Sequence, residues 1–198
     1  MQNNKTIELM IYNKKGKVSG KNVYSISNVT KTGNTVTSTV NVEMFDPKGK
    51  SISKATNNIQ CTGGVLMMDM KMFIPSAQQE QMGTASASAN NVYLEYPSSM
   101  KEGDVLKDGQ FNMDFKSNTG IGGSVSVAIT ERKVVGKESV TTPAGTWECY
   151  KITYHSKINM KIIVGIPINM DVTEWYAPGF GTVKTEAGGG KTEIISVK

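Results

Sequence analysis

A chain of 198 residues, 38% hydrophobic and 20% charged, can bury a core without metal or disulfide staples and is too apolar to be disordered. Its longest uncharged apolar run, 162–168, falls far short of a membrane-spanning helix. The net charge of +5 rests on 21 lysines and one arginine, Arg132. Arginine is the usual reader of phosphates and base edges, whereas dispersed lysines solubilise β surfaces, so this balance argues against nucleic-acid recognition.

Residues 6–12 set Ile7, Leu9 and Ile11 against Glu8 and Met10, a period of two that predicts a strand. A glycine turn at 13–16 leads into a weaker strand over 17–29. Residues 35–45 place Val36, Val40, Val42 and Met44 on one face and Thr35, Thr37, Thr39, Asn41 and Glu43 on the other, the clearest half-buried strand in the chain. Asp46-Pro47-Lys48-Gly49 carries the residues of a type I turn. Strands over 50–61 and 65–73 follow, giving a meander of about five strands through residue 75. Residues 76–91 are rich in Ser, Ala and Gln and predict a flexible loop with at most one short helix over 77–82, too polar to cover a sheet.

The C-terminal part, 92–198, resumes the alternation. Short strands are expected over 92–96 and 110–116, the second with Phe111, Met113 and Phe115 on one face. Residues 124–135 predict a strand with a register change near Lys133–Val135. Pro143 and Gly145 turn the chain into a strand over 147–157. The run 160–172 keeps its even positions apolar, and Pro167 within it suggests a hairpin tip or an edge. Pro178, Gly179 and Gly181 mark another turn before strands over 182–186 and 192–197. The sum is all-β and mainly antiparallel: one domain over 1–198, a single highly curved sheet or half-barrel of about a dozen strands. So wide a sheet must curl, close or split into layers.

Two segments stand out. Thr141-Thr-Pro-Ala-Gly-Thr-Trp-Glu-Cys-Tyr-Lys-Ile152 and Glu174-Trp-Tyr-Ala-Pro-Gly-Phe-Gly-Thr-Val-Lys-Thr-Glu186 resemble a family of exported bacterial proteins of unknown function, common in Bacteroidetes. The family pattern runs PAGTF-x-C and then WYAPGxGxVK, with Trp147 and Phe180 here where other residues are usual. The resemblance implies an exported protein of the periplasm or cell surface, its signal sequence removed. It also implies a curved sheet similar to the half-barrel of lipoprotein carriers. Met1–Lys5 is followed by no apolar run of signal-peptide kind, which leaves either a cytosolic chain or one already processed. The family supplies no catalytic or binding residues. The physical content of the motifs is turn geometry, glycine where a side chain would clash and proline to set φ.

Catalytic constellations are sparse, and no enzyme is expected. His155 is the only histidine, and its neighbour Ser156 points to the opposite strand face. GxSxG and HExxH are both lacking. Glu174 and Glu186 flank the Trp175–Tyr176 unit, with Lys184 the natural partner of either. No metal site or cofactor is expected. The run Leu66, Met68, Met70, Met72 would share one strand face, and three readings stand for it: core, lining for an apolar ligand, or a thioether ladder for Cu(I). Cys61 and Cys149 form either a disulfide or two buried thiols. Two functions follow. The first is an envelope protein binding a lipid or other hydrophobic molecule on the concave face, with Met68, Met70, Met72, Phe111, Met113 and Phe115 as candidate lining. The second is an envelope scaffold that contacts a protein partner and holds no small molecule.

Overall fold

Period-two alternation over long stretches yields twelve antiparallel strands in one sheet. In chain order they are β1 (Thr6–Tyr12), β2 (Val18–Thr32), β3 (Thr35–Phe45), β4 (Ser51–Thr62), β5 (Val65–Asp69), β6 (Tyr93–Pro97), β7 (Gly109–Lys116), β8 (Gly122–Thr142), β9 (Gly145–Lys161), β10 (Gly165–Ala177), β11 (Gly181–Ala187) and β12 (Gly190–Val197). The structure, a computed structural model, describes residues 2–74, 92–116, 120–162 and 164–198. The short helix expected over 77–82 lies outside the described residues. A single 3-10 turn, Met70–Phe73, is the only helical element among those described.

The strand order is β6-β5-β4-β3-β2-β1-β12-β11-β10-β9-β8-β7. The two ends of the chain therefore pair at the centre, through β1 and β12, and two meanders run outward from that seam. Several strands far exceed the usual five or six residues; β8 has 21 and β9 has 17. Such lengths demand coiling, and one-residue bulges supply it by bending the strand and raising its twist. Among them are one in β2 after Ser27, one in β11 at Val183 and two in β8. Non-glycine residues adopt left-handed φ at two of them, Asn28 at 52° and Glu131 at 58°.

The β8 bulge has the largest consequence. Val125, Val127 and Ile129 point inward, so Glu131 should follow. The extra residue instead leaves Glu131 exposed and turns Arg132 and Val134 inward. The predicted register change thus falls at two slips, between Thr130 and Lys133 and between Val134 and Gly136.

Two expected strands are corrected. The run 65–73 breaks at Asp69, whose carboxylate accepts Lys71 N–H at 3.0 Å and caps the 3-10 turn. The run 160–172 is really two strands: β9 ends at Lys161 and β10 starts at Gly165. The hairpin was invisible to alternation because Ile168 faces Ile158 and Met170 faces Ser156, so even positions oppose even positions. Pro167 pairs only with β9, beyond the reach of β11, so its missing N–H leaves no ladder gap.

Three apolar clusters fill the inside of the curl and one corner. The largest joins β6–β10, with Tyr96, Phe111, Ile129, Ile152 and Ile158 almost fully buried. A second gathers Ile26, Val40, Val42 and Met44 on β2 and β3. The third holds Leu9, Cys149, Trp175, Ala177, Val183 and Ile194 around the seam.

The seam is also the tightest backbone approach. A Cβ on Gly190 would lie 2.7 Å from the Tyr12 carbonyl oxygen, which cannot move without breaking the β1–β12 ladder. Gly190→Ala is expected to lower stability by about 1–3 kcal/mol, read from the urea midpoint; an unchanged midpoint would show that the seam yields.

Candidate functional site

The inner face does not pack solid. A cavity of about 310 Å³ lies between the β1–β5 wall and the β9–β12 wall. That is the lower end of the range usual for small-molecule sites. Most of its surface is aliphatic or thioether, from Ile7, Leu9, Ile26, Val40, Ile59, Leu66, Met68, Met72, Met170 and Val172, with Tyr24, Phe73 and Tyr154. Phe180 adds a fourth aromatic ring to the lining, and the aliphatic side chains around these rings leave the space unfilled.

A polar stripe crosses the apolar lining. Register places Glu174 of β10 opposite Thr185 of β11, and Thr185 opposite Thr192 of β12. Thr182, opposite Tyr176, joins them because a bulge at Val183 of β11 turns it to the same side as Thr185. Asn22 and Ser156 also reach the cavity.

Beside this stripe lies a buried polar latch. Tyr96 on β6 donates its hydroxyl to Glu174 Oε2 at 3.0 Å, and its ring stacks on Tyr176 with centroids 4.8 Å apart. Thr182 Oγ1 donates to Glu174 Oε1. The Arg132 guanidinium sits 4.7 Å from the Tyr96 ring centroid. Its Nη1 donates to the carbonyls of Glu95 at 3.0 Å and Lys107 at 2.7 Å. Arg132 is 0% exposed and Glu174 1% exposed. Burying two such groups is costly, and their opposite charges offset part of the cost; both Glu174 oxygens are hydrogen-bonded, whereas Arg132 Nε and Nη2 have no partner among the described residues. The segment after β6 completes the closure: Leu106 N–H bonds the Arg132 carbonyl and Val134 N–H the Asp104 carbonyl. The β6 edge is thereby tied across to β8 and β10.

Burial moves the phenols and the carboxyl around the latch. It raises the Tyr96 and Tyr154 hydroxyls well above the usual phenol value, with the Glu174 charge adding to both. It also raises the Glu174 carboxyl, against the opposing effects of Thr182, Arg132 and Tyr96.

The sequence-predicted residues separate. Met68 and Met72 line the cavity. Met70 is 0% exposed and packs in the β6–β10 core, its sulfur 2.7 Å from where a Gly109 Cβ would be. The 3-10 turn thus removes the continuous methionine face that a thioether ladder needs. Phe111, Met113 and Phe115 belong to the same core, on β7, and are not among the described lining residues. Cys61, half-buried on β4, and Cys149, buried on β9, are free thiols. Pro143 begins the β8–β9 turn that ends at Gly145, and Pro178 and Gly179 the β10–β11 turn that ends at Gly181. His155 Nδ1 lies 3.0 Å from Asp171 Oδ1 on the exposed face, while Ser156 points to the cavity. Lys184 pairs with Glu186 at 2.7 Å and not with Glu174, which faces inward. Tyr96, Arg132 and Glu174 were not assembled from sequence. The available signals were one arginine among 21 lysines and a glutamate at an inward-facing strand position.

A model of the DUF3108-like family matches residues 2–198. Two solved structures share the fold. A Bacteroides fragilis protein described as exported, with a YmcC-like fold, has a TM-score of 0.81 and 22% identity, covering 100% of this chain and 96% of its own. A Parabacteroides distasonis protein described as a lipoprotein has a TM-score of 0.80 and 20% identity, with the same coverage. No curated protein matches the sequence.

Two outcomes follow from these environments. A carboxyl whose folded pKa is raised stabilises fully below its unfolded value and loses that contribution as pH rises through the folded one. Glu174→Gln should therefore gain on the wild type as pH rises from acid toward neutral, measured by urea midpoints across a pH series; the opposite trend would refute dominant burial. Burial, with the Glu148 and Glu138 charges, pushes the Cys149 thiol up to about 11. A thiol reagent at neutral pH should modify Cys61 first and Cys149 only on unfolding; unreduced protein showing no thiols in denaturant would contradict the free pair.

Proposed function

We propose that this chain, which belongs to the DUF3108-like family, is an exported envelope protein that holds a hydrophobic small molecule inside its curled sheet. The observation that carries the reading is the cavity of about 310 Å³ with a largely apolar lining from nine strands and the Met70–Phe73 turn. A sheet of this length could close its core with aromatics. Instead the inner wall leaves space lined by isoleucine, valine and methionine, which adapt to an apolar guest. Export is supported by the words attached to the two structural relatives, one described as exported and one as a lipoprotein. No helix among the described residues is long and apolar enough to cross a membrane.

The competing scaffold reading has one foothold. β7 pairs only with β8 and ends the sheet, an edge open to strand addition. That edge alternates exposed Gln110, Asn112, Asp114 and Lys116 with buried residues, and such charges guard edges against pairing.

Native mass spectrometry of gently purified protein, set against the denatured sample, tests the cavity reading. A mass excess that vanishes on denaturation and releases a lipid-range species is expected. Met68→Trp, which fills the cavity from β5, should cut retention by about tenfold or more while leaving the β-sheet circular dichroism intact. A clean apo mass, with no uptake of added apolar dye, would reject it.

A further inference from the structure

We infer that the cavity selects a neutral amphiphile, an apolar chain ending in a hydrogen-bond donor such as a hydroxyl or amide, and rejects fatty-acid anions. The inference rests on the hydrophobic-cavity reading above and names its ligand class.

The first observation is charge. The protein carries 22 basic residues, yet no lysine, arginine or histidine is found among the described lining residues. The one lining residue with an acidic side chain is Glu174. Arg132 is not among the lining; its Nη1 is turned to the Glu95 and Lys107 carbonyls and its guanidinium plane to Tyr96. A carboxylate guest would be desolvated with no cation to receive it. It would also face Glu174, and like charges that close force one group to take up a proton.

The second observation is hydrogen bonding. Asn22 lines the cavity beside Tyr24. Asn22 Oδ1 is buried with no partner among the described residues. An unpaired buried acceptor is costly, and because this oxygen has almost no accessible surface, a guest hydroxyl or amide N–H removes that penalty through a turn of the Asn22 amide toward the cavity. The Thr185 and Thr192 hydroxyls, paired across β11 and β12, lie between Asn22 and Glu174 on the same inner surface. They can accept from or donate to the same polar end. A stripe of acceptors and two-way hydroxyls without a cation fits a neutral donor and disfavours an anion.

The test displaces the neutral dye phenylnaphthylamine from the full chain at neutral pH, using decanol and decanoate, which share a chain length and differ in the head. Both are kept below their aggregation limits. Decanol should compete at a concentration about tenfold lower than decanoate. Asn22→Ala and Thr185→Val should each shrink that gap, taken as the ratio of the two competition constants after correction for each variant's own dye affinity. Thr185→Val exchanges a hydroxyl for a methyl of nearly the same shape and so spares the fold. Decanoate binding as tightly as decanol, or a gap untouched in both variants, overturns the inference and leaves the apolar cavity standing. If the dye does not bind and neither chain is taken up, the cavity reading falls and this inference falls with it.

Discussion

The curl of this sheet depends on one buried ionic arrangement. A single open sheet of twelve strands would expose its inner face. Here the β6 edge is drawn over to β8 and β10 by Tyr96, which reaches Glu174 with its hydroxyl and Tyr176 with its ring. Arg132 anchors the same edge by its backbone, through the carbonyl of Glu95. None of these contacts replaces a strand ladder. They set how far the ladder bends before it stops. Hydrophobic burial drives the curl, but it has no direction of its own, whereas a buried carboxylate and guanidinium tolerate only a narrow geometry.

That geometry requires a fault in the strand. Perfect alternation in β8 would have pointed Glu131 inward and Arg132 to solvent. The bulge, with Glu131 at a φ of 58°, reverses the two. Backbone strain of this kind costs on the order of 1–2 kcal/mol, and it is retained where the inward arginine closes the curl. The same logic applies in β11, where the extra residue Val183 brings Thr182 round to the side of Thr185 and so to Glu174. Bulges therefore do two things at once: they coil long strands, and they choose which polar side chains the interior receives.

The cavity is the remainder of this arrangement. Aromatics concentrate at the latch and in the β7–β9 core, where Tyr96, Tyr176 and Phe111 are packed. The space between the β1–β5 wall and the β9–β12 wall is lined mostly by aliphatic and thioether side chains, with Tyr24, Phe73, Tyr154 and Phe180 among them. A wall of this kind holds volume without holding a shape, which suits a flexible apolar guest better than a rigid one. Its polar stripe comes from cross-strand register, since Glu174, Thr185 and Thr192 lie on three successive strands and side by side in the sheet.

Local periodicity by itself determined the all-β class, the number of strands and most turns, because a strand's two faces and a turn's φ requirements are written in neighbouring residues. Val40, Val42 and Met44 could be assigned to one buried face from their spacing, and they are buried together. Met68 and Met72 were legible as apolar lining candidates, but Met70 was not separable from them until Asp69 capped a turn and sent it into the core. The β9–β10 hairpin was hinted at by Pro167, but its position was not legible because even positions face even positions across it. Only the tertiary structure decided that β1 and β12 pair at the centre, that β6 returns to β8 and β10, and that Arg132 and Glu174 are interior. Those outcomes depend on pairings between distant segments and on one-residue slips. A slip flips every following side chain to the other face, and its position is set by packing across the sheet, which no local window contains.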